Sequence, residues 1–349
     1  MESLIEFLKT KMMVEAVDYD VNFARVSGRI NHPLETTIID IEDYFKNTGY
    51  TPIFTRNKGF DVIKIGIINT VEDKPKIALN IILFMATILT TLWAGSNFGG
   101  GNPLTHIKDL LMGIPFSFSL MAILTGHELG HYFVSRREGM TTSLPYFIPM
   151  PNFIGTFGAM IRMKSIVPNR RALLRVGMAG PIVGFLIALP ITIVGIALSR
   201  FVVMPATGYY IRLGDSLLFS LIVKAIHPMI PPGMDLFLHP MAFAGWIGFL
   251  VTAMNLIPIG QLDGGHVAYS LLFEHRKKLY IPLAAALIGF GLLWPGWLVW
   301  GLLAFLMARR DPLVKNGLTP LTKKEIIWGL IPFLLLLLTF TPRPIVITR

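Results

Sequence analysis

The chain has no cysteine among its 349 residues. Disulfide frameworks and thiolate metal sites are therefore excluded, and no redox compartment can be read from sulfur chemistry. Charge is also scarce: charged residues are 15% of the composition and hydrophobic ones 53%, where a soluble protein carries about a quarter charged. The long apolar stretches accordingly read as membrane spans. The opening residues, MESLIEFLKTKMMVEAVDYD, have no basic segment followed by an apolar run, so they do not read as a signal peptide, and they are too acidic for a transit peptide. No repeat of fixed period and no low-complexity linker is present.

The formal net charge of +10 would suit a nucleic-acid binder, but its distribution argues against nucleic acid as a partner. Residues 1–76 hold 10 Lys+Arg against 12 Asp+Glu. The whole excess thus lies in the apolar remainder, in short connecting loops where it sets membrane topology.

Residues 1–72 read as a small soluble α/β module, regulatory or docking in role. VNFARVSGRI has strand character, PLETTIIDIEDYFKNTGY reads as a helix ending at glycine, and a hairpin is expected to turn at Asn57-Lys58-Gly59. EDKPK marks a boundary, and residues 77–345 form the membrane-embedded part. Apolar runs there predict about seven spans, near Ile77–Ala94, Ile114–Val134, Ala172–Leu198, Met241–Ile259, Leu279–Leu293, Trp297–Met307 and Ile326–Phe340. The fifth and sixth are short and joined by Trp-Pro-Gly, so a re-entrant hairpin is the alternative. The expected fold is a polytopic α-helical membrane protein with six or seven transmembrane helices, a small membrane-associated β-hairpin or sheet, and the N-terminal module. It is integral and multi-pass, with the lipid bilayer as its environment.

Loop charge orients these spans. Residues 135–171 carry Arg136, Arg137, Arg162, Lys164, Arg170 and Arg171 against Glu138 alone. Arg276, Lys277 and Lys278 follow the fourth span, and Arg309, Arg310, Lys315, Lys323 and Lys324 follow the sixth. All three basic loops fall on one side, predicted to be cytoplasmic, together with the N-terminal module.

Into this apolar background the second span inserts LTGHELGHYFV. Ionisable groups in lipid are expensive and usually functional. His127 and His131, four apart, share a helix face and can bind one metal ion, while Glu128 can take a proton from a water held by that metal. Gly126 and Gly130 leave the helix surface bare for a close approach. The bland alternative is a set of helix-packing polar residues satisfied by neighbours. Catalytic zinc needs a third protein ligand. Glu274 and Glu325 qualify by type but sit in basic loops. Asp263, in NLIPIGQLDGGHVAYSLL, is the better candidate, because the fourth span runs in the same sense as the second and delivers it to the same depth. A helix-capping Asp is its structural alternative. His266, three residues on, can serve beside the site or as an alternate ligand. His32, His106, His227, His239 and His275 lie in predicted loops without ligand spacing.

With HELGH at 127–131 and NLIPIGQLDGG at 255–265, the chain resembles the site-2 protease family of intramembrane zinc metalloproteases. The match to the second motif falls on Asn255, Pro258, Leu262, Asp263 and Gly264, and AGPIVG at 179–184 resembles the family's third-span motif, with Gly184 where the family often has Asn. The likeness covers roughly residues 77–310. It implies one Zn2+ per chain bound by His127, His131 and Asp263, water activation by Glu128, and a role for Asn255, with Pro258 beside it, in holding the substrate or its oxyanion. It also implies a transmembrane protein as substrate, cut in or near its membrane segment. The loop LPYFIPMPNFIGTFGAMIRMKS, with small residues at Gly155 and Gly158, is expected to offer a strand edge that traps the unwound substrate by β-addition, or else to be an ordinary re-entrant loop. The connection 199–240 is too short for a PDZ domain. An N-terminal module without PDZ is similar to the plant plastid and bacterial branch, and a prokaryotic cytoplasmic membrane is the expected location, with the active site towards the cytoplasm. Oligomeric state is not legible. The rival readings are a metal transporter, which has no need of Glu128, and a family member that only binds partners. Histidine-box desaturases need more histidines, and prenyl-protein proteases need a downstream Glu motif.

Overall fold

The computed structural model describes residues 2–19, 23–67, 76–203, 210–307 and 312–348. The expected boundary at EDKPK and the basic residues Arg309 and Arg310 fall outside these, apart from Lys76.

The chain opens with α1 (Glu2–Lys11), β1 (Met12–Tyr19), β2 (Phe23–Ile30), α2 (Leu34–Phe45), β3 (Thr51–Asn57) and β4 (Phe60–Gly66). The strand, helix and hairpin expected from residue 21 onward are all there, and the hairpin turns through Lys58 and Gly59, both at positive φ (51° and 81°). The helix and strand before residue 20 were not anticipated. α1 buries only Leu4, Ile5 and Leu8, too short an apolar stripe to stand out in the sequence.

Next come α3 (Ile77–Phe98) and α4 (Ile114–Arg137), then three short strands, β5 (Tyr146–Pro149), β6 (Thr156–Met160) and β7 (Val167–Asn169). α5 (Arg170–Ala197) follows, started by the Asn169 side chain accepting from the Ala172 N–H. α3, α5 and the stretch Ile107–Arg137 containing α4 are long and apolar enough to cross a membrane. On α3 the large side chains Ile77, Ile81, Ile82, Met85 and Leu89 are exposed. Such a surface suits lipid, and in water it would be an aggregation hazard.

Beyond α5 lie β8 (Arg200–Val203), β9 (Tyr210–Leu213), α6 (Leu217–Ile226), β10 (Met234–Phe237) and α7 (Pro240–Asn255). The chain ends with α8 (Asp263–Leu272), α9 (Lys277–Phe290), α10 (Gly296–Met307), β11 (Val314–Asn316), α11 (Lys323–Gly329), α12 (Ile331–Thr339) and β12 (Ile345–Thr348). The apolar helices after α5 are shorter than expected for simple spans. α7 has 16 residues, about 24 Å at 1.5 Å per residue against a hydrocarbon core of about 30 Å. It is walled in by α4, α5 and α12 and buries side chains all round, so protein rather than lipid surrounds it. α9 and α10 pack on each other.

One sheet of order β1-β2-β4-β3-β11-β7 joins the module to the rest. β11 pairs in parallel with β3 at Asn316↔Phe54 and with β7 at Val314↔Val167. The hydrophobic core follows suit: Ile41, Phe54 and Ile63 belong to the same buried cluster as Val167, Leu173, Tyr269, Phe273 and Val314. Separate two-stranded pairings join β5 to β6, β8 to β10 and β9 to β12.

Candidate metal centre

His127, Glu128 and His131 lie on α4 and are each 6% exposed. His131 precedes the end of α4 by six residues, about 9 Å of helix. Asp263 is the first residue of α8, reached from the end of α7 through the non-helical segment 256–262. Leu262 rather than Asp263 holds the cap position, so the carboxylate is not consumed by capping. Gly264 and Gly265 follow it directly in α8. They sit in its first turn, where a Cβ would come 2.0 Å from the Leu256 carbonyl oxygen or 2.3 Å from that of Gly260. Their bareness lets the loop fold down onto the helix and set the height of Asp263.

Three donor atoms converge. His131 Nε2 is 3.2 Å from His127 Nε2 and 3.2 Å from Asp263 Oδ2, and His127 Nε2 is 3.3 Å from the same oxygen. Tetrahedral coordination with bonds of about 2.0–2.1 Å places ligand atoms about 3.3–3.4 Å apart, so the triangle fits a zinc-sized ion. The tautomer agrees. His131 Nδ1 stands 2.8 Å from the Val176 carbonyl, which can only accept, so Nδ1 carries the proton and Nε2 presents a lone pair inward. One cation at the centre satisfies all three close pairs at once. Among the described residues, His127, His131 and Asp263 form the group whose donor atoms lie within 4.8 Å of one another.

The wall behind the histidines comes from α5. A Cβ on Gly180 would lie 2.1 Å from His131 Nε2, and one on Gly184 would lie 3.1 Å from the His127 Cβ. At Gly177 it would meet the His266 Cβ at 3.0 Å. Gly130 answers from α4, where a Cβ would lie 2.7 Å from the Ala179 carbonyl oxygen. The two helices therefore touch backbone to backbone at the site. In the sequence AGPIVG is legible only as a motif. The available signal was the spacing 177, 180, 184, three and seven residues apart on one helix face.

A cavity of about 900 Å³ opens onto the cluster. His127, Glu128, His131, Asn255 and Asp263 all line it, as do Ala159 and Met160 of β6 and the run 161–167 that follows. Asn255 Nδ2 is 3.4 Å from His127 Nε2. His266 lines the cavity but stands outside the donor triangle. Pro258, Gly155 and Gly158 are not among the lining residues. Gly155 serves a close packing instead, since a Cβ there would come 2.6 Å from the Thr90 carbonyl oxygen on α3. Gly158 pairs with Ile148 inside the hairpin. Glu274 and Glu325 lie elsewhere: Glu325 caps α11 and meets Arg171 and Arg175 at 3.4 Å.

Residues 115–294 match Peptidase family M50. The chain is 29% identical over 250 residues to the probable zinc metalloprotease EGY2, chloroplastic, of Arabidopsis thaliana, covering 70% of this chain and 44% of that one. It is 32% identical over 209 residues to the probable zinc metalloprotease EGY1, chloroplastic, of Oryza sativa subsp. japonica, covering 57% and 35%. The Arabidopsis EGY1 protein is 31% identical over 212 residues, covering 57% and 37%. The chain thus spans less than half the length of these relatives. No solved structure matches.

Proposed function

The chain belongs to peptidase family M50, and from that premise we propose that it is an integral-membrane, zinc-dependent endopeptidase cutting a membrane-protein substrate in or near its transmembrane segment. The observation that carries this reading is the donor triangle of His127, His131 and Asp263 with Glu128 beside it. When bound there, zinc supplies Lewis acidity, lowering the pKa of a coordinated water and polarising a carbonyl.

The protein's own groups do the rest. Glu128, buried one residue from the first histidine, accepts the proton of the attacking water and returns it to the leaving amine. Asn255, with its amide facing the donor cluster, donates to the substrate carbonyl as negative charge develops on it. A helical substrate segment has its carbonyls hydrogen-bonded, so it must unwind before attack. The extended run 159–167 along the cavity offers backbone groups to receive it by strand addition. Val176 fixes the His131 tautomer through its carbonyl.

The site and the N-terminal module share the basic side of the membrane, the cytoplasmic side or its equivalent. The relatives are chloroplast proteins, so the expected prokaryotic location draws no support from them, and only the orientation is proposed. Residues 1–72 act in docking or regulation. The test is Glu128→Gln with a membrane-spanning reporter in detergent. Cleavage falls by about 10²–10⁴-fold, the range for a general base, while zinc is retained. Cleavage at the parental rate would overturn the mechanism, and zinc transport across liposomes without cleavage would point to a transporter.

A further inference from the structure

A second cavity, of about 510 Å³, lies between the N-terminal sheet and the turn joining α8 to α9. Its walls carry Arg25, Arg56, Lys58, Lys64, Arg276 and Lys278. Against these six cations stands one carboxylate, Glu274, with His275 beside it. Two of the cations are held by the protein. Arg56 binds Asp61 at 2.7 Å; Arg276 lies 4.2 Å over the Tyr269 ring and donates to the Phe273 carbonyl. Arg25, Lys58, Lys64 and Lys278 make no ion pair among the described residues.

Two further observations show that the arrangement is unbalanced as it stands. Arg25 on β2 is directly opposite Lys64 on β4, and like charges facing across an antiparallel pair destabilise it. Asp18 faces Arg25 from β1, yet the Arg25 Nε is buried without a hydrogen-bond partner, a state that ordinarily costs free energy. An anion with several acceptor oxygens would satisfy the orphan Nε and screen the opposed charges together. Placement narrows its nature. Lys278 lies in the first turn of α9, which is otherwise almost wholly apolar, so the cleft stands where the module meets the membrane surface.

We propose that this cleft is an anion site that takes a phosphate group, gripped by Arg25, Lys58, Lys64 and Lys278. The phosphate belongs either to a phospholipid head group or to a soluble phosphate compound, and the chemistry of recognition is the same for both.

Native mass spectrometry of the full chain in detergent tests this, with phosphatidylglycerol and inorganic phosphate added as separate probes. The parental protein retains one or the other. The double variant Arg25→Gln/Lys64→Gln retains it at least tenfold less well, at about fivefold per cation removed near a membrane surface. A control, Lys9→Gln/Lys46→Gln, removes the same charge from exposed positions on the module and leaves retention unchanged. Lys278→Gln, at an exposed position, serves as the single variant and weakens retention about fivefold, should the double variant fail to fold. Selective retention of phosphatidylglycerol assigns the phosphate to a lipid, and retention of inorganic phosphate assigns it to a soluble compound. Retention of neither probe, or equal loss in the control and the cleft variants, overturns the proposal.

Discussion

In the larger cavity three lone-pair donors of mixed charge are pressed to within 3.3 Å of each other by helices that touch through glycine. In the smaller cleft six cationic side chains and one carboxylate stand around a space of about 510 Å³. The first design suits a monatomic cation, which demands donors at fixed separations and so a backbone with no slack. The second suits a polyatomic anion, whose several oxygens can be reached by flexible stems from different distances. The physical difference predicts a different response to damage: all-or-none at the metal centre, graded at the cleft.

The largest effect is expected at Asp263. Asp263→Ala removes one corner of the triangle, and zinc content measured by elemental analysis falls at least tenfold below one per chain, with reporter cleavage lost. A variant that keeps its zinc would remove the cluster from consideration as a metal site. Next is a pair of substitutions that add one methyl group each. Gly180→Ala puts a Cβ 2.1 Å from His131 Nε2, whereas Gly184→Ala puts one 3.1 Å from the His127 Cβ. We expect zinc affinity, read by chelator competition, to drop more than tenfold for the first and less than threefold for the second. Equal responses would mean that the helix contact is slack after all.

At the module the effects are smaller. Asp61 is 8% exposed and binds both Arg56 and the Ile30 N–H. Asp61→Ala leaves both donors unanswered, though the Arg56 side chain is 38% exposed and recovers some hydration. The expected loss is about 2 kcal/mol, below the range for a fully buried pair, measured by denaturant unfolding. It also adds net positive charge behind the cleft, so retention of a phosphate probe should rise slightly as stability falls. Smallest is Glu325→Gln, which weakens the reciprocal cap with Thr322 and the contacts to Arg171 and Arg175. About 1 kcal/mol is expected, and a midpoint of thermal unfolding unchanged from the parental protein would show the cap to be idle.

How much of this was legible in the sequence follows from the range over which each signal acts. The histidine pair is a one-turn pattern on a long apolar helix, and loop charge carried Asp263 to the same depth. The architecture shows the convergence of those residues with Asn255. The glycines of α5 were harder to interpret, because a missing Cβ has meaning only once the opposing atom is known. The sheet that runs from the module through β11 to β7 left no trace. Both added strands have three residues, too short for any alternation, and their partners lie far off in sequence. Gly155 and Gly158 read in the sequence only as small residues, because the packing of one on α3 and the pairing of the other within the hairpin depend on neighbours far off or across a turn.

That sheet also has a consequence in time. β3 ends at Asn57, and β11, which covers its outer edge, ends at Asn316. About 260 residues must therefore be made between the two. At about 5–20 residues per second, the edge of β3 waits on the order of 13–50 s for its neighbour. For that interval the newborn module presents an open strand edge of the kind that recruits wrong partners, while the membrane helices are still being synthesised. The module thus precedes the membrane helices in sequence but is finished only after them, and its completion reports that the helices in between have been made.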